Sequence, residues 1–239
     1  MPSVRLPKKP IVSPKILIFD VDGVLVDVRG TYWRSALDTV HHLTGKRVTY
    51  AELHRWKSKP GNNDDWNMVS RWVTSLGKPM SYEQAREAFN KFYWGEDGRP
   101  GNVRNEKLLI TPKQIERWAS RYELNIFTGR TRKEFAFTFD RWPASRHFRT
   151  VITMSDVEKI KPHPEGLHKI LGKRDPATAL YLGDNIDDAL AAREAGVPFI
   201  AVVAHGEHGY RKRAARFREL GALALLPRAT SLNAFLGSK

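Results

Sequence analysis

The chain has 239 residues, 41% of them apolar and 28% charged, which fits one large globular domain, or a medium one carrying an insertion, and excludes a disordered chain. It has no cysteine, so disulfides, thiolate metal sites and cysteine nucleophiles are excluded together, and a reducing compartment fits. Forty basic against 26 acidic residues give a formal charge of +14, a field that draws phosphates, nucleic acid or an anionic surface without choosing among them.

Residues 1–14 read as a basic, Pro-rich extended tail. They hold no apolar segment of signal-peptide length, and no later run is long enough to span a membrane, so a cytoplasmic location is expected. Ile16 to Phe19 are β-branched or large and suit a buried central strand, which ends in Asp20-Val21-Asp22-Gly23. The pattern then turns helical. Trp33, Leu37, Val40, His41 and Thr44 share one face before Gly45, and Thr49 to Lys59 reads as a second helix ended by Lys59-Pro-Gly-Asn-Asn63. Two further helices are expected, over 64–76 with Asp65 as cap and over 81–94 with Ser81-x-x-Gln84 as a capping box. No strand is expected in this stretch, and Gly95 to Gly101 reads as a hinge loop back toward the sheet.

From Thr111 onward helix and strand alternate. Helices are expected over 112–121, near 132–141, and over 164–171, 187–195, 210–220 and 232–236; strands over 124–128, 150–153, 179–182, 199–203 and 222–226. The fold class is therefore α/β, a doubly wound parallel sheet with an inserted all-helical cap domain. The expected division is a tail at 1–14, a core at 15–29 and 106–239, and a cap at 30–105.

Four strand ends carry chemistry. Asp20 and Asp22 can reach one bound atom from a single loop and suit a hard cation, although Asp-x-Asp-Gly is also an ordinary turn. Thr128, Gly129 and the backbone donors after them could hold a phosphate, or Thr128 could simply cap a helix. Lys161, kept extended by Pro162, could offset clustered carboxylates or be solvated; Lys159 is the runner-up and His163 reads as a surface residue. Asp184 and Asp188, one helical turn apart, could point to one cation, whereas Asp187 reads as a favourable charge at a helix N-terminus, pointing elsewhere.

Taken in order, Asp20-Val-Asp22, Thr128, Lys161 and Asp184-x-x-x-Asp188 resemble the four motifs of the haloacid dehalogenase (HAD) superfamily over about residues 15–205. The helical insertion is similar to the first-type (C1) cap of subfamily I, and the whole resembles its phosphoglycolate-phosphatase-like members. The resemblance implies a Rossmann-like core and a Mg²⁺-dependent phosphatase in which Asp20 is the nucleophile and Asp22 the general acid and base. It implies Mg²⁺ held by Asp20, the backbone carbonyl of Asp22 and Asp184, with Asp188 nearby or ligating, and the phosphoryl group held by Thr128, Gly129 and Lys161.

The expected partner is a small phosphorylated metabolite, with phosphoglycolate, a sugar phosphate and histidinol phosphate as candidates. Asn62, Asn63 and Asp64 are the cap residues expected to close over the leaving group, or else a solvated turn. A phosphonate hydrolase of the same fold would need a cap lysine as Schiff-base former; Lys57 and Lys59 are available but read as ordinary helix-end charges. A phosphomutase would return the phosphoryl group to a sugar. A nucleic-acid binding or end-processing protein would use the basic run Arg211 to Arg218, which instead reads as the solvated face of a helix packed through Tyr210, Ala214, Phe217 and Leu220.

Overall fold

In the computed structural model, which describes residues 14–62, 64–206 and 209–237, the apolar run after Lys15 forms strand β1, Ile16–Phe19. Its side chains alternate between two buried faces: Leu17 and Phe19 join one cluster, Ile16 and Ile18 the other. A strand buried on both sides needs no polar alternation, which is why this segment reads as a continuous apolar run.

The remaining core strands are β2 (Glu123–Phe127), β3 (Phe148–Ile152), β4 (Ala179–Gly183), β5 (Phe199–Val202) and β6 (Ala224–Leu226). They pair in parallel in the order β6-β5-β4-β1-β2-β3. The chain moves outward from β1 through β2 to β3 and then returns to the other side of β1. The order therefore reverses between β1 and β4, and the crevice beyond their carboxyl ends is where such sheets bind ligands. Two strand boundaries differ from expectation by two residues: β3 begins at Phe148 and β6 at Ala224.

Helices α1 (Tyr32–Thr44), α2 (Tyr50–Lys57), α3 (Asp65–Ser75) and α4 (Tyr82–Trp94) surround a separate apolar cluster that includes Tyr32, Leu53, Trp72, Phe89 and Tyr93. Ser81 and Gln84 form the expected capping box of α4. The cap of α3 is Asp64 rather than Asp65: its carboxylate accepts from Trp66 N at 2.9 Å and Asn67 N at 3.3 Å. Two short antiparallel pairs also form where no strand was expected in the insertion or at its edge. Gly95–Glu96 pairs with Arg99–Pro100, and Val26–Asp27 pairs with Lys107–Leu108, stitching together the outgoing and returning crossings. The tail at 1–13 and Asn63 lie outside the described residues.

On the core, α5 (Pro112–Ala119), α6 (Arg132–Phe139) and α10 (Leu232–Leu236) cover the Phe19 face, with the Trp118 ring stacked on Phe19 at 5.2 Å. Helices α7 (Glu165–Leu171), α8 (Ile186–Glu194) and α9 (Tyr210–Glu219) cover the opposite face. Each large side chain buried there contributes roughly 1.5–3 kcal/mol, holding the strand ends in register. Among the described residues no helix is long and apolar enough to cross a membrane.

Candidate active site

The chain leaves β1 through a tight turn. Asp20 N donates to Leu182 O at 2.8 Å, so the first residue past β1 is still tied to the neighbouring strand. Gly23 follows with φ at 74°, and a Cβ there would fall 2.2 Å from Asp184 Oδ2. Only glycine lets this loop and the end of β4 approach so closely.

The approach brings carboxylates together from distant parts of the chain. Asp20, Asp184 and Asp188 each place one oxygen within 4.8 Å of the others. Lys161 Nζ lies between two of them, 2.9 Å from Asp20 Oδ1 and 2.7 Å from Asp188 Oδ1. Asp188 is further engaged by Tyr181 OH at 2.6 Å on Oδ1 and Asn185 N at 3.0 Å on Oδ2. Burial pushes the Asp20 carboxyl up to about 7; Lys161 pulls against this, while Asp188 and Asp22 push further. Burial also disfavours the Lys161 charge, but Asp188 and Asp20 outweigh it and raise that pKa. Lys161 among these acids, with the Arg213 guanidinium 4.0 Å from Asp184 Oδ2, still leaves the three carboxylates short of positive charge, and their all-oxygen donor set fits a hard divalent cation such as Mg²⁺.

Beyond β2, Thr128 is nearly fully buried and its Oγ1 accepts from Arg130 N at 3.2 Å. Gly129 lines the cavity over the cluster. Asp22 also lines this cavity, but its carboxylate stands apart from the three-acid cluster and accepts from Arg130 Nη2 at 2.7 Å. Thr131 and Glu134 form a capping box at the start of α6. Burial raises the Glu134 carboxyl to about 7, against the pull of its bonds from Thr131 and of Arg130.

The insertion supplies the roof, through Trp33, His54, Lys57, Ser58, Asp64 and Trp66. Asn62 is placed elsewhere. It is fully buried, donating from Nδ2 to Trp56 O at 2.8 Å and accepting on Oδ1 from Arg71 Nη1 at 2.6 Å, so it shapes the loop from inside.

Two residues, Lys57 and Arg213, reach the site that the sequence did not assign to it, and a third, Asp187, braces the loop beside it. Lys57 is no loose helix-end charge: it lines the cavity and pairs with Asp65 at 2.7 Å. Burial opposes its charge, but Asp65 prevails, with Asp184 and Asp22 adding, so its pKa is raised. Arg213 leaves the basic run to donate to Asp184 O at 2.6 Å. Asp187, rather than pointing away, is buried and accepts from Gly61 N at 3.0 Å, tying the insertion's loop to α8.

The chain is similar in sequence and in fold to several known proteins. Residues 114–202 match the family model of haloacid dehalogenase-like hydrolases. An imidazoleglycerol-phosphate dehydratase of Phytophthora nicotianae is 30% identical over 190 residues, covering 75% of this chain; the chain spans only 41% of that protein's length. Pyrophosphatase PpaX of Bacillus cereus (strain B4264) is 26% identical over 196 residues, 78% of this chain and 82% of that one. A solved structure of a predicted phosphoglycolate phosphatase from Haemophilus somnus 129pt matches 95% of this chain and 100% of its own with a TM-score of 0.74. At 18% identity that likeness establishes the fold.

Proposed function

The chain belongs to the haloacid dehalogenase-like superfamily of hydrolases, and we propose that within it this protein is a Mg²⁺-dependent phosphatase acting on a phosphomonoester of a small metabolite. The observation that carries the reading is the convergence of Asp20, Asp184 and Asp188 within 4.8 Å, with Lys161 between Asp20 and Asp188.

Asp20 attacks phosphorus, forming an aspartyl-phosphate that water then cleaves, so that one hard displacement becomes two easier ones. Asp22 donates a proton to the departing alcohol and afterwards takes one from the attacking water. Lys161, Thr128 and the backbone N–H of Gly129 bind the phosphoryl oxygens as charge shifts among them. Asp20, Asp184 and the Asp22 carbonyl would hold Mg²⁺, with Asp188 beside them, and the ion would supply charge neutralisation at the phosphoryl group. Asp188 already gives both oxygens to Lys161, Tyr181 and Asn185, which favours a role in holding Lys161 in place.

Residues 30–105 act in this reading as a cap domain whose roof receives the leaving group. The Lys57–Asp65 pair speaks against a phosphonate hydrolase, because a Schiff base needs a neutral amine and Asp65 holds Lys57 as an ammonium. The test is a panel of phosphorylated metabolites, including phosphoglycolate, sugar phosphates and histidinol phosphate, read by inorganic phosphate release. Release should require Mg²⁺, stop with EDTA, and fall by on the order of 10³-fold or more in Asp20→Asn. Transfer of the phosphoryl group to a sugar in place of release would identify a mutase. Undiminished turnover by the variant, or in metal-free enzyme, would overturn the reading.

A further inference from the structure

Arg130 takes no step in the mechanism above, yet its side chain is 0% exposed and sits where the loop after β1 meets both crossings to the helical insertion. Nε and Nη2 donate to Asp22 Oδ1 at 3.0 and 2.7 Å. Nη2 also lies 2.7 Å from Glu106 Oε1, on the returning crossing. Nη1 donates to Thr138 Oγ1 at 3.2 Å, and that hydroxyl donates to Glu106. The guanidinium lies 5.3 Å from the centroid of the Tyr32 ring, the first residue of α1. One buried cation thus joins Asp22 to Glu106, where the chain returns from the insertion, and to the first helix of the insertion.

The geometry at Asp22 is one-sided. Both Arg130 bonds fall on Oδ1, Oδ2 has no hydrogen bond among the described residues, and 29% of the side chain remains open at the cavity. A planar guanidinium holds a carboxylate in a fixed orientation, which a lysine ammonium cannot reproduce. We propose that Arg130 is a positioning residue for Asp22: it pins Oδ1, leaves Oδ2 to carry the proton, and ties that placement to the seating of the insertion through Glu106 and Tyr32.

The proposal rests on the phosphatase reading and adds a geometric requirement to it. As an Asp20 oxygen forms its bond to phosphorus, the bond from phosphorus to the alcohol oxygen breaks and its electron pair stays on that oxygen. The proton on Asp22 Oδ2 moves there, giving the neutral alcohol, and the carboxylate left behind stays paired with Arg130. In the second step a water proton returns to Oδ2 while the water oxygen bonds phosphorus and Asp20 departs as carboxylate.

A residue acting through the general acid matters only where the leaving group needs a proton. The test compares kcat/KM, which reports the first transfer, for the best alkyl monophosphate of the panel and for p-nitrophenyl phosphate, whose leaving group needs little help. Arg130→Lys should lose on the order of 10²-fold on the alkyl ester and less than about fivefold on the aryl ester. Combined with Asp22→Asn it should lose no more than Asp22→Asn alone, as two residues in one function do. Glu106→Gln, which leaves the Arg130–Asp22 pair in place, should show the same selectivity to a smaller degree and keeps the test open if Arg130→Lys does not fold. Equal losses on both esters, or multiplying losses in the double variant, overturn the proposal alone. A wild-type protein that releases phosphate from neither ester overturns the phosphatase reading, and the proposal with it.

Discussion

Replacing Lys161 with methionine removes the one ammonium between Asp20 and Asp188 while keeping much of the side chain's bulk. In the native protein Lys161 and its two partners are almost fully excluded from water. Deleting one member of such a group leaves buried charge uncompensated, which costs about 3–5 kcal/mol. That is a large share of the roughly 5–15 kcal/mol by which a domain is stable. Urea unfolding at pH 7 in the presence of a chelator should therefore show a strongly lowered midpoint for Lys161→Met. The loss should be greatest above pH 7 and shrink as pH falls toward 7, because burial pushes the Asp20 carboxyl up to about 7 and its protonation removes the charge that lost its partner. Mg²⁺ should restore part of it, by about 2.7 kcal/mol at a hundred times its dissociation constant, since the ion binds only the assembled cluster. A loss under about 1 kcal/mol, the worth of an exposed pair, would mean that water already screens these carboxylates and that Lys161 does not balance buried charge.

Two other perturbations have defined outcomes. Gly23→Ala places a methyl 2.2 Å from Asp184 Oδ2 at a φ of 74°, so both strain and displacement of Asp184 should cut phosphatase activity by roughly 10²-fold or more; activity within a few-fold of wild type would mean the loop is free to move. Glu165 binds Lys169 and the backbone N–H groups of Glu158 and Lys159, and these contacts, the Lys169 bond foremost, hold its carboxyl down from 4.5 to about 2. A depressed carboxylate stabilises the fold above its unfolded pKa and loses that contribution as pH falls through the folded one. Glu165→Gln should thus unfold more easily than wild type at pH 7, with the gap narrowing between pH 4.5 and pH 2; a gap that widens on acidification would contradict the assignment.

The sheet was legible because β1 and its neighbours are buried on both faces, and the resulting apolar runs end beside the residues of the candidate site. Thr128 and Asp184 stand directly at such ends and Asp188 follows in the first turn of α8, whereas Lys161 lies farther on, in the loop between β3 and α7. The short strands Val26–Asp27 and Lys107–Leu108 were not legible, because two residues carry no periodicity. Arg130 could be seen as a guanidinium after Thr-Gly, but its partners Asp22 and Glu106 lie 108 and 24 positions away, and nothing local points to them. Asn62 and Asp187 differ from expectation for the same reason, since side-chain direction in a loop or first turn is settled by tertiary packing. Arg213 did leave a signal: it is three residues after Tyr210 and four before Phe217, which puts it on the helix face that packs inward rather than the solvated one.

In the proposed reaction the Asp20 carboxylate itself receives the phosphoryl group. Enzyme quenched during turnover with Mg²⁺ and treated with borohydride should carry homoserine at position 20, because an acyl phosphate is reduced where a free carboxylate is not, and peptide mass spectrometry reads that change directly. Reduction at position 20 that depends on substrate would show the phosphoryl group on Asp20. Rapid phosphate release with Asp20 unreduced, or with a different carboxylate reduced, would contradict it.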